Sequence, residues 1–208
     1  MLQFITGTHT FSVKQQVEMM LKAGCKWIEY HPDKSHKDEI LSTAKEILPM
    51  CRNNDCILTI SKWIDIASEA NLDGVNLELC DSSASTARKE LGEKAIIGVN
   101  IHTFDDMELL NLNDIDYIQL GEFSTTGIDS KKGDLLGFDD YRNFVLKCQD
   151  KGISTPIVAI GTIAFNDIEQ LMNSGINGIA MCHTILMAQN PVDEAEKIIS
   201  LLKSIKGK

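Results

Sequence analysis

Polar residues able to do chemistry recur in this sequence at the ends of short apolar runs. Glu29 and His31 are two apart, so on an extended strand their side chains share a face. Asn100 and His102 repeat that spacing, while Ser61 with Lys62, Glu78 with Asp81, Glu122, Gly161 with Thr162, and Cys182 with His183 close other runs. Three chemistries are open to such a set. The Ala159-Ile160-Gly161-Thr162-Ile163 and Met181-Cys182-His183-Thr184 segments can turn backbone N–H groups toward a phosphate, which then needs little from the side chains. The plainer reading of Gly161 is a tight turn. A converging set of Glu29, His31, Glu78, His102, Glu122 and His183 can instead hold Zn²⁺, Mn²⁺ or Fe²⁺ and polarise a sugar-phosphate carbonyl, as in a metal-dependent epimerase or isomerase. Lys62 is a Schiff-base nucleophile only if its proton affinity falls; Glu29 and Asp33 would raise it, which favours a charge pair. An ionised Glu29 only accepts hydrogen bonds and so suits a ligand that presents donors.

These residues need a frame that brings chain-distant positions to one face. Eight apolar, often β-branched runs predict strands: Leu2–Thr6, Lys26–His31, Ile57–Ser61, Gly74–Leu79, Ile96–Ile101, Tyr117–Glu122, Pro156–Gly161 and Gly178–His183. Helix-period stretches alternate with them. Val13, Val17, Met20 and Leu21 form one stripe ending at Gly24; Val192, Ala195, Ile198, Ile199 and Leu202 form another behind Pro191. The pattern predicts an α/β fold, a single (β/α)₈ TIM barrel over residues 1–208, with the polar run ends gathered at the carboxyl ends of the strands. Leu72-Asp73-Gly74-Val75 and Ile176-Asn177-Gly178-Ile179 resemble each other as turns into strands. Ser124 to Gly137, rich in Gly, Ser and Thr and carrying Lys131 and Lys132, is the candidate lid.

The formal net charge of −10 argues against nucleic acid or an anionic membrane as partner, since both demand clustered cations. A small phosphorylated ligand, held by local amides and a few placed cations, remains; the number of subunits is left open. The six cysteines include no CxxC pair, and no signal peptide or long apolar run is seen, which suits a reducing cytoplasm. Cys51 and Cys56 flank a polar stretch and read as helix-end thiols rather than a metal knuckle.

Several segments together carry a resemblance: Leu2-Gln3-Phe4-Ile5-Thr6, Ala23-Gly24-Cys25-Lys26-Trp27-Ile28, Leu72 to Leu77, Gly98 to Thr103, Ala159 to Ile163 and Gly175 to Ala180. In that order and spacing the chain, from Met1 to about Leu202, resembles thiamine phosphate synthase. The resemblance implies a transferase of thiamine biosynthesis that joins hydroxymethylpyrimidine diphosphate to thiazole phosphate, with Mg²⁺ on the diphosphate and release of pyrophosphate. It implies that backbone amides at Gly161, Thr162, Cys182 and His183 hold the thiazole phosphate. It makes Asp81 the match to one Mg²⁺ carboxylate and puts Ser61 and Lys62 where the family has an Asn-Asp pair. The family's diphosphate-binding Gln, Arg and Lys fall on Glu29, His31 and Asp33, and its strand-five Ser on Asn100. Its Thr-rich loop resembles Ser124-Thr125-Thr126-Gly127, which makes Thr125 a phosphate contact, with Lys131 or Lys132 in place of the loop lysine. Glu29, His31, Lys62 and Asn100 are thereby the candidate catalytic side chains. Loss of cations with retention of the fold would equally suit a divergent paralogue that binds a phosphorylated ligand without this activity.

Overall fold

A computed structural model of the chain describes residues 1–33, 36–79, 83–125 and 135–207. Its strands are β1 (Leu2–Ile5), β2 (Trp27–Tyr30), β3 (Ile57–Ser61), β4 (Gly74–Glu78), β5 (Ile96–Ile101), β6 (Tyr117–Ser124), β7 (Ile157–Thr162) and β8 (Gly178–Met181). Each is parallel to the next, and β8 pairs with β1 to close a (β/α)₈ barrel. Every apolar run of the sequence is a strand. The ends of β3 and β5 fall where expected; β1, β2 and β4 stop one residue early, at Ile5, Tyr30 and Glu78, β6 and β7 run on to Ser124 and Thr162, and β8 stops two residues early, at Met181. At Cys182 the backbone leaves the extended region (φ −135°, ψ −77°), and His183 opens a short helix instead of ending a strand.

The helices that cover the barrel are α1 (Val13–Lys22), α2 (Lys37–Arg52), α3 (Ile64–Ala70), α4 (Ala84–Leu91), α5 (Phe104–Glu108), α6 (Phe138–Asp150), α7 (Ile168–Asn173), α8 (His183–Leu186) and α9 (Pro191–Lys206). Helix α1 starts where Ser12 accepts from the Gln15 amide and the Gln15 side chain accepts from the Ser12 amide, a reciprocal cap. Its Val17 and Met20 are buried on the outer face of the barrel, as are Ala195, Ile198 and Leu202 of α9.

Strand alternation sorts the side chains into two cores. Outward residues such as Phe4, Ile28, Leu58, Val75, Ile97 and Leu120 pack under the helices. Inward residues form layers along the barrel axis. The apolar ones, Trp27, Tyr117, Val158 and Ala180, pack against Ile5, Ile57, Ile96 and Ile160. Trp27 and Tyr117 meet edge to face at 4.7 Å. Gly98 has no side chain there because a Cβ would stand 2.1 Å from the Tyr117 ring. The polar inward residues, Gln3, Glu29, Ser61, Asn76 and Gln119, form a second layer that reaches the mouth.

The amino-terminal face is fastened by a repeated device. Asp73 precedes β4 and accepts from the Leu58 amide of β3 at 2.7 Å; Asp116 precedes β6 and accepts from Ile97 of β5 at 2.8 Å; Asn177 precedes β8 and accepts from Ile157 of β7 at 2.8 Å. The two similar turns of the sequence thus do the same work, and Asp116 adds a third. Arg88 of α4 locks the middle one through Asp116 Oδ2 at 2.7 Å and the carbonyls of Gly92 and Ala95. Asp73→Ala should cost about 1–3 kcal/mol, because the amide of fully buried Leu58 loses its acceptor. Denaturant titration checks this, and Asp73→Asn, which keeps an acceptor oxygen, should retain most of the stability.

Candidate functional site

A cavity of about 720 Å³ opens at the carboxyl ends of the strands. Its wall takes Glu29 and His31 from β2 and its following turn, Ser61 from β3, Asn76 and Glu78 from β4, Asn100 and His102 from β5 and its following turn, Gln119 and Glu122 from β6, Gly161 and Thr162 from β7, and Cys182 and His183 after β8. Among the described residues this wall contains three glutamates and three histidines but no lysine or arginine.

The floor is the polar layer. Glu29, only 2% exposed, receives four donors: Gln3 Nε2 at 2.9 Å, Gln119 Nε2 at 2.8 Å, Ser61 Oγ at 2.5 Å and Asn76 Nδ2 at 3.4 Å. Gln119 also donates to Gln3 Oε1, and Gln3 to the Tyr117 hydroxyl. Burial pushes the Glu29 pKa up, and this outweighs the Ser61, Gln119 and Asn76 hydrogen bonds that would lower it. The acceptor oxygens that the sequence offers to a ligand are therefore occupied by protein donors. Asn76 Nδ2 faces Glu29, Asn100 and Gln119, and its buried Oδ1 has no donor among the described residues.

Above the floor, His31 Nδ1 lies 2.9 Å from Ser61 Oγ, so His31, Ser61 and Glu29 form one hydrogen-bonded chain from mouth to floor. Burial, then the Lys62 charge, lowers the His31 pKa. Asn100 donates to Glu78 Oε1 at 3.0 Å. Lys62 takes a left-handed backbone (φ +70°) and turns its half-exposed side chain to Glu78 at 3.8 Å, outside the cavity wall. It makes the charge pair expected of it, with Glu78 as partner.

On the opposite side, Gly161 (φ +136°) ends β7 so close to β6 that a Cβ would meet Phe123 N at 2.3 Å. Thr184 Oγ1 donates to Ile163 O at 2.6 Å and ties α8 to the turn after β7. Cys182, half-buried at the start of α8, is a neutral thiol, its pKa pushed up to about 11 by burial. The amides of His183 and Thr184 lie in the first turn of α8, where a helix has no internal acceptors for them. Thr125 is exposed beyond β6 and is not part of the cavity wall. Asp81, Lys131 and Lys132 lie outside the described residues, as does most of the candidate lid; its ends are joined by Ser124 N to Leu136 O at 3.1 Å.

The family model described as Thiamine monophosphate synthase matches residues 2–185. The chain belongs to the thiamine monophosphate synthase family. A thiamine-phosphate synthase of Bacteroides fragilis is 34% identical over 201 residues, covering 96% of this chain and 98% of the relative. One of Phocaeicola vulgatus is 35% identical, covering 96% and 97%. The solved thiamine phosphate pyrophosphorylase of Pyrococcus furiosus has the same fold, with a TM-score of 0.85, 20% identity, and coverage of 98% of this chain and 96% of that one.

Sequence reasoning found Glu29, His31, Ser61 and Asn100 and missed their partners Gln3, Asn76 and Gln119. Their signal was present: each is a polar residue between two apolar neighbours on a strand, at a position whose parity points inward. The described residues do not fit Mg²⁺. Lys62 stands where the resemblance puts one metal carboxylate, Glu78 is engaged by Lys62 and Asn100, and no group of three or more His, Cys, Asp or Glu among the described residues is arranged to hold a metal ion. The metal-dependent epimerase alternative finds no ligand cluster among them for the same reason.

Proposed function

We propose that this chain makes thiamine phosphate, joining hydroxymethylpyrimidine diphosphate to thiazole phosphate in the cavity at the carboxyl ends of the strands. The observation that carries the reading is a family match over nearly the whole barrel, with relatives of that name above 30% identity end to end. The β7 and β8 ends suit it: Gly161, Thr162, Cys182 and His183 ring one side of the cavity with backbone amides and a neutral thiol, which seat a monophosphate without a cation. Asn100, held by Glu78 and Asn76, is the candidate catalytic side chain at the end of β5. Thr125, Lys131 and Lys132 follow β6 in the sequence and are the candidate phosphate contacts of that segment. Any Mg²⁺ would be held through Asp81.

A second reading is favoured by one observation, the absence of lysine and arginine from the described cavity wall. A diphosphate beside Glu29, Glu78 and Glu122 meets repulsion where cations would attract it. On that reading the chain binds the monophosphate and does not carry out the transfer. Incubating the purified chain with both substrates, with Mg²⁺ or with chelator, and assaying thiamine phosphate by chromatography separates the two. Product in the presence of Mg²⁺ is the expected result. No product, together with measurable binding of thiazole phosphate, would overturn synthesis in favour of binding alone.

A further inference from the structure

The chain from His31 through Ser61 to Glu29 has a property that none of its members has alone. A serine hydroxyl carries one hydrogen. With Glu29 ionised, that hydrogen is given to Glu29 Oε1, the Ser61 oxygen accepts from His31 Nδ1–H, and His31 Nε2 is a bare lone pair. With Glu29 protonated, its O–H is given to Ser61, the Ser61 hydrogen passes to His31 Nδ1, and Nε2 carries a hydrogen. The proton state of a carboxyl on the cavity floor is thus transmitted to a ring nitrogen at the mouth.

We propose that Glu29, Ser61 and His31 form a proton relay through which the cavity takes up one proton as it binds a diphosphate or phosphate ester, with neutral His31 donating Nε2–H to a phosphate oxygen. This rests on reading the cavity as a site for phosphorylated ligands. The step balances without a co-reactant: one proton from water joins Nε2, the Nδ1 proton moves to Ser61, and the Ser61 proton moves to Glu29. A phosphate oxygen only accepts hydrogen bonds; it is repelled by the lone pair and held by the N–H. The same event removes the Glu29 charge from beneath the ligand. Around Glu29 the titratable neighbours are Glu78 and Tyr117, with neutral Gln3, Asn76 and Gln119; around His31 they are Asp33, Lys62 and Glu78. Burial raises the Glu29 pKa and lowers that of His31, so a proton entering at the mouth comes to rest on the floor. A histidine at the position where the family resemblance has an arginine is thereby turned into a donor without a permanent charge.

The test is titration calorimetry with inorganic pyrophosphate in buffers of equal pH and different ionisation enthalpy. Above the Glu29 pKa, the wild-type chain should take up about one proton more than Glu29→Gln, and its affinity should fall by up to about tenfold per pH unit as pH rises, relative to that variant. Comparison with Glu29→Gln removes the titration of pyrophosphate itself. Ser61→Ala keeps Glu29 but cuts the chain, and should lose the extra proton to the same extent; thermal unfolding of both variants verifies that they fold. Equal uptake in wild type and Glu29→Gln, wild-type uptake in Ser61→Ala, or no pyrophosphate binding at all would each overturn the relay. Thiamine phosphate formation without Glu29-dependent uptake would leave the synthase reading standing and remove the relay; proton-linked binding without product would do the reverse.

Discussion

Gly161→Ala should unfold at much lower denaturant and should no longer bind thiazole phosphate. The new Cβ would lie 2.3 Å from Phe123 N and 2.6 Å from Phe123 O, both backbone atoms of β6. Neither is the free end of a flexible side chain. Phe123 is fully buried and packs on Phe138 and Tyr141 at 5.0 and 5.9 Å, and Tyr141 in turn donates to Leu120 O, so β6 has no direction in which to yield. Adding about 1–3 kcal/mol for a left-handed alanine to about 1–3 kcal/mol for overpacking gives a loss of about 2–6 kcal/mol. Gly152→Ala is the control, since its φ is +66° but nothing lies within 4 Å of a Cβ there. If Gly161→Ala unfolds at the same denaturant concentration as Gly152→Ala, the close approach of β6 and β7 does not govern this turn.

Glu29→Leu should cost about 2–5 kcal/mol near neutral pH, although leucine buries well and removes an expensive buried carboxylate. The loss comes from the donors left behind. Gln3, Asn76 and Gln119 each keep another acceptor, but among the described residues Ser61 Oγ has none other than the His31 ring, and all four side chains are buried. Glu29→Gln should cost less, because its single amide oxygen still accepts from one pair of these donors, although its NH2 then faces the other pair. The pH dependence has a definite sign. The Glu29 pKa is raised in the folded chain, so its contribution is fully present below the unfolded value and is lost as pH rises through the folded one. Wild type should therefore gain stability relative to Glu29→Gln on mild acidification. Equilibrium unfolding of both proteins across that range decides the matter; a relative loss by wild type on acidification would contradict the burial argument.

The barrel was legible because its evidence is local. Each strand is a short β-branched run with turn residues at its ends, and eight of them alternating with amphipathic helices leave few other architectures. The site was legible only where a residue announces chemistry by type. Glu29 and His31 stood out as an acid and an imidazole on one face, yet what Glu29 binds depends on Gln3 and Gln119, which are 116 residues apart from each other. Closure of the sheet, not any local pattern, brings them together. Lys62 was placed at the correct strand end, but its left-handed backbone, which turns the side chain out of the wall, has no sequence signature. The amino-terminal fastening was half visible: Asp73 and Asn177 precede glycines and repeat a motif, whereas Asp116 precedes Tyr117 and does not.

The polar floor also constrains the routes by which this protein can change. Gln3, Glu29, Ser61, Asn76 and Gln119 count one another's hydrogens: each donor is spoken for by an acceptor on a different strand. An exchange that alters the number of hydrogens at one position creates a surplus or a deficit at a neighbour. Lineages should therefore cross this layer in matched pairs of substitutions. In a laboratory selection, suppressors of a damaged Gln119 should arise at Gln3, more than a hundred positions away in the gene product and one hydrogen bond away in space.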